Sequence, residues 1–195
     1  MSALLKQPDF ISVDEYLSGE QLSEIRHEYI DGQVYAMSGA SARHGLILNA
    51  LAFALTPHGR KKNCQLFTSD MKIRLDFNGK QVFYYPDLLL SCDPDDREDY
   101  YRTRPCLIIE ILSETTERID RREKFLAYQT LPSLLEYVLV AQDMPRVEIY
   151  RQRRDWQAEI VTEGAFHLDC IDLNLNVDEV YADVDFPPPV YTPRW

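Results

Sequence analysis

The feature that most constrains the fold is the run CLIIEIL at residues 106–112, in which every position except Glu110 is apolar. A strand that is apolar on both faces is typical of the centre of a sheet covered by further layers on both sides. Helical and strand-like patterns surround this run, and their order predicts a mixed α/β domain with one central sheet. A length of 195 residues with 45% hydrophobic residues suits a single domain over 1–195.

The other elements are predicted from capping signals, hydrophobic periodicity and turn residues. The first half of the chain has a predicted helix after Ser12, whose capping-box partner is Glu15, a hairpin at 28–36 with an Asp31-Gly32 turn, and a helix from Ser41 to about Gly59. Predicted strands follow at 64–68, 71–77 and 81–90, and then a charged loop or short helix at 93–104. The second half has a predicted helix at 120–129, strands at 135–141 and 147–151, an edge strand at 160–161, and an extended arm at 187–195.

Glu110 is the most informative position for function. Strand alternation places its side chain on the same face as those of Ile108 and Leu112. An ionised carboxylate on such a face is costly unless it has a partner, a metal ion or a raised pKa. Two interpretations remain open: a buried salt bridge, or a metal ligand or general base.

Asp87 and Lys124 are the other candidates that the pattern brings forward. Asp87 follows Pro86 and precedes an apolar strand, and two carboxylates on neighbouring strands could bind one hard cation such as Mg²⁺. Lys124 either pairs with Asp120 on a solvated helix face or extends its ammonium into the site. Glu28 is either an ordinary surface carboxylate or a further acid of the site.

The formal net charge of −11 argues against a surface that is basic throughout, as many nonspecific DNA-binding proteins have. The charge is unevenly distributed, because residues 155–193 contain no Lys or Arg and basic clusters occur elsewhere. Arg121 and Arg122 belong to one such cluster, and we expect them to be exposed and to contact a nucleic-acid backbone. The acidity weakens a nucleic-acid function without excluding one.

The cysteines and the chain start predict the cellular setting. Cys64, Cys92, Cys106 and Cys170 form no closely spaced pair of the kind that holds zinc, and we expect four reduced thiols. We see no signal-peptide pattern and no apolar stretch of the length that a membrane helix requires. The expected location is the cytoplasm, with no membrane partner.

The combination of motifs resembles the PD-(D/E)XK nuclease superfamily, and more closely a bacterial restriction-endonuclease-like family within it. The matching stretches are residues 28–32 with Ser41 and His44, residues 85–90, residues 109–113 through Asp120, Lys124 and Tyr128, and residues 136–140. The resemblance implies a restriction-endonuclease-like central mixed β-sheet flanked by helices.

The resemblance also implies roles for individual residues. Asp87 and Glu110 match the metal-binding acids, and Glu28 matches an acid that often completes such a site. The position two residues after Glu110, where the superfamily usually has a lysine, is Leu112, so the resemblance assigns the basic role to Lys124.

The implied activity is metal-dependent hydrolysis of DNA phosphodiester bonds with Mg²⁺, or Mn²⁺ as a substitute. A homodimer is expected, because cutting both strands of a duplex usually needs two sites. Two alternatives remain open: a catalytically inactive nucleic-acid-binding module on the same fold, and an interaction protein whose carboxylates are only salt-bridged.

Overall fold

The computed structural model describes residues 10–186. Its helices are α1 (Val13–Glu20), α2 (Ala42–Lys61), α3 (Glu117–Ile119), α4 (Phe125–Tyr128) and α5 (Val177–Val180), with a π-helical turn at Asp120–Lys124 and a 3-10 turn at Gln152–Arg154. Its strands are β1 (His27–Ile30), β2 (Gln33–Ala36), β3 (Gln65–Thr68), β4 (Lys72–Phe77), β5 (Lys80–Tyr84), β6 (Leu88–Ser91), β7 (Tyr101–Arg102), β8 (Pro105–Leu112), β9 (Glu136–Ala141), β10 (Val147–Arg151), β11 (Ala158–Val161), β12 (Ala165–Leu168) and β13 (Leu173–Asn176). The predicted arm at 187–195 lies outside the described residues.

A six-stranded mixed sheet forms the centre of the molecule, in the order β11-β10-β9-β8-β6-β3. The β8–β9 pair is parallel, and the other neighbouring pairs are antiparallel. All eight residues of β8 are buried. The predicted central mixed sheet, with residues 106–112 as a strand covered on both faces, is therefore confirmed.

The two faces of β8 belong to two separate layers of core. Leu107, Ile109 and Ile111 pack in the layer that also contains the buried face of α2. Ile108 and Leu112 point the other way, into a layer shared with residues of β4, β5 and α4. Glu110 shares this second face, as strand alternation predicts.

The expectation of a single sheet is wrong, because β5 and β6 belong to different sheets. A second sheet has the order β2-β1-β5-β4-β7, and β12 pairs with β13 in a separate hairpin. The predicted strand at 81–90 is interrupted after Tyr84, and the chain passes between the sheets at residues 85–87. Pro86 lies in this connection, where its missing backbone N–H costs no ladder hydrogen bond.

Local signals near the N-terminus give accurate predictions. The capping box of α1 is formed, with Ser12 N donating to Glu15 Oε2 at 2.9 Å. The predicted hairpin corresponds to β1 and β2, and Gly32 in its turn has φ +89°, a conformation that favours glycine. Helix α2 continues through Pro57 to Lys61, two residues beyond the expected end. Gly59 lies close to Leu90 of β6, where a Cβ would be only 3.3 Å from the Leu90 side chain.

The expectation of four free thiols is wrong. Cys64 is bonded to Cys92, and Cys106 is bonded to Cys170. The four positions are far apart in sequence, so their pairing depends on the tertiary fold. Within residues 10–186, no helix is both long and apolar enough to cross a membrane.

Candidate active site

Asp87 lies where the chain enters β6 from the other sheet. Its Oδ2 accepts a hydrogen bond from the backbone N–H of Ile111 at 2.7 Å, and its own N–H donates to Glu110 Oε2 at 3.3 Å. Its Oδ1 lies 3.0 Å from His44 Nε2. The side chain is 19% exposed, so Asp87 is fixed by neighbouring strands while remaining open to solvent. The predicted pairing of Asp87 with Glu110 is present.

Glu110 lies at the middle of this arrangement and is only 3% exposed. Its Oε1 lies 3.2 Å from Lys124 Nζ and accepts a hydrogen bond from the Tyr128 hydroxyl at 3.1 Å. Burial raises the pKa of Glu110 well above its usual value, and the ammonium of Lys124 opposes that rise. Asp120 and Asp87 add to it as like charges. A carboxyl group that is buried beside other acids binds a proton or another cation readily.

Lys124 is the cation that holds the carboxylates together. It is 6% exposed, and its Nζ lies 3.0 Å from Glu28 Oε1, 3.2 Å from Glu110 Oε1 and 3.4 Å from Asp120 Oδ1. Burial alone would lower the pKa of Lys124, but these three carboxylates together raise it well above the usual value. The solvated-face alternative is therefore wrong, since the ammonium extends into the site.

A π-helical turn at Asp120–Lys124 places both of its end residues in the interior. Such turns are rare and occur often at functional sites. Burial raises the pKa of Asp120, and Lys124 acts in the opposite direction. Asp120 is thus a fourth acid of the cluster. From the sequence it was a helical partner of Lys124 and part of a matching motif, with no role in the site assigned to it.

Glu28 connects the five-stranded sheet to the cluster. It is part of β1, and its Oε1 accepts a hydrogen bond from the backbone N–H of Tyr85 at 3.2 Å as well as contacting Lys124. Its side chain is 16% exposed. Glu28 is therefore a member of the cluster and not an ordinary surface carboxylate.

Two further polar residues belong to the site. His44 lies in the first turn of α2, where its backbone N–H donates to the capping Ser41 Oγ at 3.1 Å. Its ring contacts Asp87, and the sequence alone left it ambiguous. Tyr128 is fully buried and donates to Glu110. In the sequence, His44 and Tyr128 were marked only by their positions in the stretches that match the family, and by no local pattern.

Leu112 is buried in the same layer as Glu110, where it packs with apolar residues. A lysine at that position would enter this layer from β8. Lys124 enters it from the helical segment and places its Nζ beside Glu110. The basic group expected from the resemblance is therefore present in the cluster, supplied by another element.

The chemistry of the cluster fits a hard divalent cation. Its donors are the carboxylate oxygens of Glu28, Asp87, Glu110 and Asp120, which Mg²⁺ and Mn²⁺ prefer. Asp120 Oδ1 is buried and accepts no hydrogen bond from the part of the chain described here. The carboxylates are spread around Lys124, and no three of their ligand atoms lie within 4.8 Å of one another. Within residues 10–186, the group of three candidate ligands that meets this distance consists of cysteines. The ammonium of Lys124 thus occupies the space between three of the four acids.

Arg121 and Arg122 differ in their surroundings. Arg121 is half-buried, with Nη1 and Nη2 donating to the two oxygens of Glu148 at 2.6 and 2.8 Å and Nε donating to Glu117 at 2.7 Å. The expectation that Arg121 is exposed and free is therefore wrong. Arg122 is exposed and forms no ion pair within residues 10–186. Neither guanidinium is part of the cluster around Lys124.

A central mixed sheet flanked by helices, with an acidic cluster around one lysine, defines a restriction-endonuclease-like protein. The Uma2 family model, described as "Putative restriction endonuclease", matches residues 13–177, and the chain belongs to this family.

Similar proteins match most of the chain. The uncharacterized Synechocystis protein slr1290 is 35% identical over 180 residues, covering 90% of this chain and 94% of that protein. A second uncharacterized Synechocystis protein, sll1609, is 32% identical over 161 residues, covering 80% of this chain and 90% of that protein. A crystal structure from Anabaena variabilis, described as "a putative nuclease", has a TM-score of 0.68 at 18% identity, with 88% of this chain and 98% of that chain covered. This likeness shows a shared fold.

Proposed function

We propose that the protein is a metal-dependent endonuclease that hydrolyses DNA phosphodiester bonds. The observation that carries the proposal is the convergence of three carboxylates, those of Glu28, Glu110 and Asp120, on the buried Lys124 at the junction of two sheets, with Asp87 beside Glu110. Family membership supports nuclease chemistry of this kind.

Asp87 and Glu110 would hold one Mg²⁺ or Mn²⁺ ion, with Glu28 as a further ligand. The ion lowers the pKa of a bound water and neutralises charge that develops on the phosphate. Asp87 is suited to this role because the backbone N–H of Ile111 and the His44 ring fix its carboxylate. Fixed ligands lower the ordering cost of binding.

Lys124 would stabilise negative charge on the scissile phosphate. The carboxylates keep it protonated, because they raise its pKa far above neutrality. Of the two proposed metal ligands, only Glu110 contacts the ammonium, through Oε1. Lys124 would direct its charge at the phosphate in a site that is largely shielded from water.

DNA binding by a chain of net charge −11 depends on local basic groups. Arg122 is the exposed candidate nearest in sequence to Lys124. We expect Arg122→Ala to weaken DNA binding about equally for all sequences and to reduce the slope of log K against log salt by about 1. Fluorescence anisotropy of a labelled duplex over a salt series measures both quantities.

The matched control is Lys80→Ala, which removes an exposed cation at the start of β5, the end of that strand remote from the site. It should leave the salt slope unchanged. If the two variants have equal slopes, Arg122 makes no phosphate contact. Arg121 is unsuitable for this test, because its loss removes one of the two guanidinium groups that pair with the buried Glu148 carboxylate.

A homodimer is part of the proposal, because cleavage of both strands of a duplex needs two sites and small oligomers are usually two-fold symmetric. Sedimentation of the protein with and without duplex DNA measures this directly. A protein that stays monomeric on DNA would be expected to nick rather than to cut both strands.

Nicking of supercoiled plasmid in the presence of Mg²⁺, Mn²⁺ or EDTA tests the central proposal. Conversion to open circles with either metal, and none with EDTA, is the expected result. Salt-sensitive DNA binding without turnover under any metal condition would refute the nuclease proposal in favour of an inactive nucleic-acid-binding module. Absence of both binding and cleavage would favour an interaction protein.

A further inference from the structure

All four cysteine sulfurs lie in one cluster. The two bonded pairs adjoin each other, because Cys92 Sγ and Cys106 Sγ are 3.3 Å apart. The sulfurs of Cys92, Cys106 and Cys170 all lie within 4.8 Å of one another, and Cys64 is bonded to Cys92.

Four separate segments bring these sulfurs together. Cys64 follows the end of α2, Cys92 follows β6, Cys106 lies within β8, and Cys170 follows β12. Cys64 and Cys106 are buried, whereas Cys92 and Cys170 are half-buried. An ion can therefore reach the cluster from the side of Cys92 and Cys170.

The backbone around the cluster is fixed by hydrogen bonds. The N–H of Cys64 donates to the carbonyl of Gly59 at 2.8 Å. The N–H of Cys170 donates to Glu136 Oε2 at 3.1 Å, and Glu136 is itself fully buried and paired with Arg151 at 3.0 Å. Such support orients ligands before binding and increases metal affinity.

We propose that the reduced chain binds one Zn²⁺ ion through the four cysteine thiolates. Four sulfur ligands in tetrahedral geometry are typical of structural zinc, and bonds of about 2.3 Å place the sulfurs about 3.8 Å apart. The Cys92 and Cys106 sulfurs are already 3.3 Å apart, and the Cys170 sulfur lies within 4.8 Å of both. Reduction of the two disulfides would let each bonded pair separate to the same spacing. Thiolates select soft or borderline cations, so this site differs in chemistry from the carboxylate cluster.

The disulfide-bonded chain becomes the zinc-bound chain in two steps, reduction and then metal binding. Two dithiol molecules each transfer two electrons and two protons to one disulfide, giving four protein thiols and two oxidised dithiols. Zn²⁺ then replaces four protons, one from each thiol, and forms four Zn–S bonds. An oxidised dithiol or another disulfide can reverse the first step once zinc is removed.

The cysteine cluster and the carboxylate cluster lie at opposite ends of the same strand pair. In the antiparallel β6–β8 pair, Ser91 aligns with Pro105 near the cysteines, and Leu88 aligns with Ile109 near Asp87. The two clusters share no ligand. Zinc would thus hold one end of the two strands whose other ends carry Asp87 and Glu110.

The first test measures zinc in the full chain purified with a phosphine reductant. Elemental mass spectrometry should find about one zinc per chain, and Co²⁺ in its place should give the strong visible absorption of a tetrahedral tetrathiolate. Cys92→Ser and Cys170→Ser should each weaken zinc binding by at least ~100-fold, since loss of even a supporting residue costs 10- to 100-fold. Glu110→Gln is the control, and it should retain the full zinc content.

A second test uses the wild-type chain, so that a folding defect in a variant cannot decide the result. With zinc bound, the four thiols should resist alkylation by iodoacetamide, and a chelator should expose all four, as counted by intact mass. The proposal is overturned if the reduced chain binds no zinc. It is overturned equally if zinc leaves the thiols freely alkylated, or if Glu110→Gln loses the ion while the cysteine variants keep it.

Discussion

Glu110→Gln is expected to reduce metal-dependent plasmid nicking by about 100-fold or more, while the folded structure persists. The amide keeps the shape of the side chain and still accepts the Tyr128 hydrogen bond, but it removes the charge that attracts a divalent cation. Losing one strong electrostatic contact in a site of this kind costs on the order of 10²–10³ in rate. Asp87→Asn should have an effect of similar size. The measurement is the initial nicking rate with Mg²⁺ and with Mn²⁺, alongside a thermal melt of each variant.

The matched control is Glu163→Gln, which makes the same chemical change at an exposed position between β11 and β12. It should nick at the wild-type rate. Equal rates for the Glu110 and Glu163 variants would rule out the carboxylate cluster as the reaction centre, even if the protein is a nuclease.

Lys124→Met is expected to give the largest loss of stability among single changes in the site. Removing the ammonium leaves Glu28, Glu110 and Asp120 facing one another in a buried environment. Breaking a buried ion pair from one side typically costs about 3–5 kcal/mol. Urea unfolding in EDTA measures this loss. Added Mg²⁺ or Mn²⁺ should restore more stability to this variant than to the wild type, because the cation replaces the missing charge.

Lys80→Met serves as the control, since Lys80 is exposed and its contact with Asp31 is a surface pair at 3.5 Å. Its expected effect is within about 1 kcal/mol. If Lys124→Met unfolds at the same urea concentration as Lys80→Met, the carboxylates do not depend on Lys124 for their burial. A Lys124 variant that folds and still nicks rapidly would remove Lys124 from the proposed chemistry.

The sequence was sufficient to predict the centre of the fold, because the signals there are local. The run 106–112 has too little polarity for an exposed strand, and one charged residue within it marks the site. Strand alternation then gives the direction in which Glu110 points, and a helix cap gives the start of α2. These features depend on neighbouring residues and on general rules of burial.

The remaining features depend on contacts between distant segments. Nothing near residues 81–90 reveals that the chain changes sheets at Pro86, because both halves of the run have strand-like composition. The π-helical turn whose two end residues, Asp120 and Lys124, are both buried has no reliable sequence pattern. The meeting of the cysteines likewise requires four separate elements to pack correctly.

The site joins the two sheets rather than lying on either one. Glu28 lies in β1 of the five-stranded sheet and Glu110 lies in β8 of the six-stranded sheet, and residues 85–87 are one of the connections by which the chain passes between these sheets. Any cation bound by both acids would therefore link two sheets that already share one layer of core. Ion binding at the site and the packing of the two sheets are then thermodynamically coupled. A change that loosens the packing of the sheets also weakens the binding of the ion.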